Sequence, residues 1–269
     1  MMAKYPERIV CLTPETTEVL YLLGEEDRIV GISGYSVRPA RARREKPRVA
    51  AFTTAKIEQI LDLQPDLVLG FSDMQASIAA DLLKGGVEIH VFNQRSVRGI
   101  LTMVLTVGSL TGAHEKAGKL VQTLQANIEN VKCQSKKLMR RPMVYFEEWC
   151  DPLISAVGWV SELIEIAGGI DCFPELAKEP GAMNRIIKDP KEVVIRKPDI
   201  IIGSWCGKKF HPETVCQRPG WDKISAVRNA QVYEIKSAHI LQPGPVALTE
   251  GLLQLQKIIR KWGSATAGC

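Results

Sequence analysis

Lys56-Ile57-Glu58-Gln59-Ile60-Leu61-Asp62-Leu63-Gln64-Pro65-Asp66-Leu67-Val68-Leu69-Gly70 has an echo further along the chain, Lys188-Asp189-Pro190-Lys191-Glu192-Val193-Val194-Ile195-Arg196-Lys197-Pro198-Asp199-Ile200-Ile201-Ile202-Gly203. Both stretches read as a helix, then Pro-Asp, then a run of aliphatic residues closed by Gly. Proline lacks the N–H that a helix interior needs, so Pro-Asp ends the helix and turns the chain. The unbroken aliphatic run is what a parallel strand covered on both faces requires. Each copy therefore marks one α/β lobe.

Working outward, each lobe opens with a strand followed by a helix: 8–12 then 16–23 in the first, 143–146 then 159–167 in the second. Each closes with a further strand, at 87–92 and 231–235. Strands alternating with helices at this pitch predict parallel sheets. Between the lobes, 114–141 has no Pro and no late Gly, with apolar residues at Leu120, Leu124, Ile128 and Val131. It predicts one long helix of about 40 Å, a strut that would limit closure and leave a cleft largely pre-formed. The expected division is a lobe at 1–112, a linking helix at 113–141 and a second lobe at 142–269. Gln242-Pro243-Gly244-Pro245 should set the turn into a final helix at 246–262.

The 269 residues, 45% hydrophobic and 24% charged, suit a globular protein of two domains. A net charge of +5 without interleaved basic and aromatic residues argues against nucleic acid as a partner. No segment approaches the roughly 20 apolar residues of a membrane span, so no membrane insertion is expected. The start runs directly into a strand without a signal-peptide core. Seven scattered cysteines, Cys11, Cys133, Cys150, Cys172, Cys206, Cys216 and Cys269, suit a reducing compartment. The expected location is cytoplasmic for the sequence as written, or periplasmic if a leader has been removed.

Several motifs carry a resemblance. They are Arg8-Ile9-Val10-Cys11-Leu12-Thr13-Pro14-Glu15-Thr16-Thr17-Glu18, Leu23-Gly24, Asp27-Arg28-Ile29-Val30-Gly31-Ile32, Gly34-Tyr35-Ser36, Lys46-Pro47-Arg48-Val49 and the two Pro-Asp strands, with Glu162-Leu163-Ile164 and Gly168-Gly169 in the second half. In this order they resemble the helical-backbone solute-binding proteins of ABC importers that take cobalamin and ferric siderophores, over nearly the whole chain. The resemblance implies two Rossmann-like lobes joined by a backbone helix. It also implies a ligand, cobalamin or another large metal chelate, held in the cleft between them, and no required cofactor or catalytic residue.

In such a fold the ligand meets the carboxyl ends of the strands. Read off this sequence, those ends supply Thr13, Glu15, Tyr35, Phe52, Phe71 and Asp73 from the first lobe, and Glu148, Trp149, Trp205, Lys208, His239 and Gln242 from the second. Tyr35, Phe52, Phe71 and His239 match aromatic cleft positions of the family, and aromatic faces suit a flat corrin ring. Members that dock on a permease carry a Glu on each lobe, expected here near Gln75, Ala76 or Ser77 and near Leu241. None of these is acidic, which leaves the ABC permease partner open, with Glu175 and Glu250 as displaced alternatives. The runner-up is a cytoplasmic metal- or thiol-dependent enzyme, or a ligand sensor reusing this fold. Its metal candidates are Cys150, Cys206 and His211, with Glu147 and Glu148 nearby, although their spacing fits no known zinc pattern. No G-x-S-x-G, phosphate-cradling or G-x-G-x-x-G motif supports catalysis.

Overall fold

The computed structural model describes residues 4–266. Cys269 therefore lies outside the described residues. The chain forms two compact units, each assembled from separate stretches: one from the residues up to Gln94, Arg98–Leu124 and Pro243–Pro245, the other from Arg95–Val97, Gln125–Gln242 and the chain from Val246.

The first unit holds five strands, β1 (Ile9–Cys11), β2 (Ile29–Ser33), β3 (Arg48–Ala50), β4 (Leu67–Phe71) and β5 (Ile89–Phe92). They pair in the order β3-β2-β1-β4-β5, all parallel. The second holds β6 (Met143–Cys150), β7 (Leu153–Ser155), β8 (Ile170–Asp171), β9 (Ile200–Gly203) and β10 (Val232–Glu234), ordered β10-β9-β6-β7 with β8 also on β6. Here one pairing departs from the expected parallel sheet. β7 folds back antiparallel on the carboxyl half of β6, because Asp151-Pro152 permits only a tight turn, while β8 pairs in parallel with its first two residues.

The two Pro-Asp motifs do the same work in each unit. Asp66 accepts from the backbone N–H groups of Glu7 and Arg8 at 2.8 and 2.9 Å, while its own N–H donates to the Arg8 carbonyl at 2.9 Å. Asp199 accepts from the N–H of Met143 at 3.0 Å and donates to its carbonyl at 2.8 Å. Each aspartate thus satisfies the backbone where the unit's first strand begins and sets its register, Ile9 opposite Leu67 and Val144 opposite Ile200. The helices Ile57–Asp62 and Lys191–Arg196 stop just before, through Gln64 and Lys197 in left-handed conformation at φ 47° and 49°. That conformation turns the chain into the proline.

Helix Pro14–Leu23 starts with Pro at its first turn and ends on Gly24 at φ 69°, whose N–H reaches the carbonyls of Leu20 and Tyr21. The predicted long helix is His114–Ser135, 22 residues or about 33 Å, six residues shorter than expected. Nothing in its sequence breaks it. Leu138 is instead drawn down beside Gly168 and Gly263. The helix also changes unit between Leu124 and Gln125. The final helix begins as a π-helical turn, Ala247–Gly251, and continues as Leu252–Thr266. Gly251 is required there, since a Cβ would lie 2.4 Å from the His239 carbonyl oxygen. No helix among the described residues is long and apolar enough to cross a membrane.

Candidate functional site

β1 and β4 are neighbours, but the chain leaves β1 toward β2 and β3 and later returns to β4 and β5 on the other side. Loops leaving the carboxyl ends of β1 and β4 diverge, opening the crevice in which α/β sheets take ligands. Thr13 and Glu15 follow β1, Tyr35 follows β2, Phe52 follows β3, and Phe71 ends β4 with Asp73 just beyond. Tyr35 and Asp73 are exposed, Phe52 is half-buried and Phe71 is buried, its ring centroid 6.4 Å from that of Phe52. Gln75 holds these two loops together: its Oε1 accepts from the Phe71 N–H at 2.9 Å and its Nε2 donates to the Phe52 carbonyl at 2.8 Å.

Glu15 is 2% exposed, and its Oε1 has no hydrogen-bond partner. Burial lifts its carboxyl to a pKa of about 7, against the smaller opposing effects of its own backbone N–H and of Thr13. It stands in the first turn of its helix among hydroxyls: the Thr16 and Thr17 side chains donate to the Thr13 carbonyl, and Thr17 lies 3.1 Å from the Ser36 hydroxyl. Gly244, in the returning segment Pro243–Pro245, packs on Glu15, and a Cβ there would lie 2.6 Å from the Glu15 Cβ. A neutral carboxyl is the form such a pocket favours at acidic to neutral pH.

In the second unit the carboxyl ends of β6 and β9 lie side by side, Glu147 opposite Gly203. Glu147 is fully buried yet saturated with partners. It accepts from the Tyr145 hydroxyl at 3.0 Å, from the Trp205 indole at 3.0 Å and from both ends of the Arg218 guanidinium, one at 2.8 Å. Arg218 also stacks 4.5 Å from the Trp221 ring centroid. Glu148, next in the strand, turns to Arg185 at 2.7 Å, and Arg185 is itself 3% exposed. A buried carboxylate is tolerable only with such bidentate guanidinium pairing. Trp149 is half-buried, with its indole donating to the Asp151 carbonyl. The exposed Lys208 ammonium lies 5.9 Å from the Trp149 ring, 5.3 Å from the Trp205 ring and 3.5 Å from the Cys150 sulfur.

Residues 9–239 of the chain match the family described as periplasmic binding protein. The chain belongs to the periplasmic binding protein family. Among curated relatives, it is 27% identical over 262 residues to an uncharacterized ABC transporter substrate-binding lipoprotein, YvrC, of Bacillus subtilis (strain 168), covering 95% of this chain and 81% of the relative. It is 26% identical over 250 residues to a vitamin B12-binding protein of Vibrio cholerae, covering 90% and 85%. Its fold is similar to that of a possible iron-binding, periplasmic solute-binding protein from Staphylococcus epidermidis, with a TM-score of 0.81, 24% identity, and 95% and 99% of the two chains covered.

In this periplasmic binding protein the sequence-selected residues divide in two. Trp149, Cys150, Trp205 and Lys208 are brought together at one rim, and Phe52 and Phe71 at another. Trp205, however, is a core residue: it is 4% exposed, packs edge-on against Phe210 at 4.9 Å, and spends its N–H on Glu147. Glu148 serves Arg185. His239 turns toward its own unit's last helix, its Nδ1 2.6 Å from the Gln254 amide nitrogen and 3.6 Å from Glu250. Gln242 is half-buried immediately before the returning segment.

Among the described residues no group of three or more His, Cys, Asp or Glu could hold a metal ion. Cys206 and His211 are both exposed, and desolvation, then the Glu148 charge, raises the Cys206 thiol above its ordinary range, the opposite of a reactive thiolate. Gln75 occupies an expected docking position but is wholly buried as a loop tie, and Glu175 is paired to Arg196 at 2.6 Å. Arg185 and Arg218 escaped sequence reasoning altogether. They lie 37 and 71 residues from their carboxylates, and no local pattern distinguishes a buried arginine from a surface one.

Proposed function

We propose that this chain is a non-enzymatic solute-binding protein of an ABC importer, acting outside the cytoplasm. It takes a corrinoid or a similar flat metal chelate at the carboxyl ends of its sheets. The observation that carries this reading is the cluster of Trp149 and Lys208 above the fixed Glu147–Arg218–Trp205 base. A half-buried indole beside an ammonium offers a stacking face together with a charge for peripheral carboxylate, amide or phosphate groups. Phe52 and Tyr35 offer comparable faces on the other unit. The vitamin B12-binding relative supports the ligand class, and the substrate-binding lipoprotein supports the transport role. Delivery to a permease would have to use groups other than glutamates at 75–77 and 241, since none stands there.

Because Arg218 and Arg185 saturate the carboxylates beneath, the rim needs little reordering on binding, which favours affinity. Titration with cobalamin, cobinamide and hemin, followed by tryptophan fluorescence and calorimetry, tests the ligand class. Saturable one-to-one corrinoid binding at micromolar affinity or tighter is expected, and Trp149→Ala should weaken it by about 1–2 kcal/mol with the melting temperature preserved. Trp205→Ala should instead cost about 3–5 kcal/mol of stability, as loss of a core tryptophan does. Saturable hemin binding without corrinoid binding would transfer the ligand assignment to porphyrins.

A further inference from the structure

Away from the strand ends, the second unit carries a face of one sign. Between Lys132 and Glu147, and again after Glu250, the sequence has no Asp or Glu, yet it supplies Lys136, Lys137, Arg140, Arg141, Lys257, Arg260 and Lys261. The structure brings Lys137, Arg140 and Arg260 to one groove, with Lys257 and Lys261 on the same exposed side of the final helix as Arg260, and with Lys261 lying 5.3 Å from the Tyr233 ring. On the final helix Leu252, Leu255, Ile259 and Trp262 are buried, so Lys257, Arg260, Lys261 and Ser264, at helical spacing, share the exposed side. Beside them the turn after Ser135 brings in Lys137 and Arg140, with Arg140 5.6 Å from the Trp262 ring centroid. Lys137, Leu138, Met139, Arg140, Arg260 and Ser264 are among the residues lining a groove of about 840 Å³. Of the seven cations, Arg141 is held by Glu165 and the Gly169 carbonyl. The other six have no carboxylate partner among the described residues.

Lysines just past a helix C-terminus complement its dipole, which accounts for Lys136 and Lys137. It does not account for Met139. Leu138 is seated beside Gly168 and Gly263, so the turn is pegged from below, and the next residue is forced outward: Met139 is 95% exposed, between two basic pairs. An unsupported thioether ringed by cations is unfavourable in water and favourable where charge and hydrocarbon occur together.

We propose that this face docks on an anionic phospholipid surface, with Lys136, Lys137, Arg140, Lys257, Arg260 and Lys261 meeting headgroup phosphates and Met139 entering the interface. Cations near a negatively charged bilayer are each attracted to it, and a single apolar side chain adds a shallow anchor. A free phosphate-bearing solute would be held by Lys137, Arg140 and Arg260 in the groove and would gain nothing from the exposed Met139 thioether at its edge. The inference is independent of the ligand assigned above.

Co-sedimentation of the full chain with vesicles of phosphatidylglycerol and phosphatidylcholine, against phosphatidylcholine alone, tests it at low and high salt. Binding confined to the anionic vesicles, weakened by salt, is expected. K137E/R140E/R260E should lower the affinity by at least about tenfold. M139S should lower it severalfold at unchanged charge, and because the side chain is so exposed the variant keeps its circular dichroism and melting temperature. Equal binding to neutral vesicles, or indifference to both variants, would overturn the proposal. So would displacement by inorganic phosphate at the phosphate concentration of the lipid, which would assign the face to a free anion.

Discussion

At Glu15 the chain keeps a carboxyl where only the neutral form is at ease. With a pKa near 4.5 in the unfolded chain and about 7 in the fold, the folded state holds its proton more tightly. Stability is then greatest below pH 4.5, falls as pH rises toward 7, and stays at its lower level above. Glu15→Gln removes this dependence. It should raise stability at pH 8 by on the order of 2–3 kcal/mol while changing little at pH 4, read from urea unfolding at the two pH values. An equal effect at both would show that the carboxyl contributes through shape alone. Glu147 is the contrary case. The Tyr145 hydroxyl, the Trp205 indole and the Arg218 guanidinium all donate to it at no exposure, so its removal strands Arg218.

At the scale of elements, much was legible because the cause was local. Pro-Asp after an amphipathic turn and before three aliphatic residues and a Gly fixes a helix end, a strand and its depth, and the structure adds only that the aspartate pins the neighbouring strand's backbone. Lys208, beyond the second Pro-Asp strand, followed from that pattern, whereas Tyr35 and Phe52 followed only from the resemblance to the solute-binding family. What was illegible depended on partners distant in sequence. The helix stop at Ser135 is set by glycines 168 and 263, β7 and β8 share one edge of β6 at different residues, and Trp205 is drawn inward by Glu147 and Phe210. Gly203 marks that inward packing: a Cβ there would sit 1.8 Å from the Phe210 ring. Gly203→Ala should therefore push Phe210 off β9 and cost about 1–3 kcal/mol, with a drop in melting temperature as the reading. No drop would mean that the ring moves freely, and with it the floor beneath Lys208.

At the scale of the whole molecule, the first unit is not finished by its own stretch of sequence. All five of its strands precede residue 95, but Pro243–Pro245, which cover Glu15, come from near the other end. A fragment 1–124 should accordingly melt below the intact chain; a fragment as stable as the intact chain would show the cover to be dispensable. During synthesis about 120 residues separate Leu124 from the cover, some 6–25 s on a ribosome moving at roughly 5–20 residues per second. Through that interval the first unit lacks the segment that packs on Glu15. When Gly244 arrives it packs against Glu15, so the sheet translated first is closed by nearly the last stretch of chain to be made.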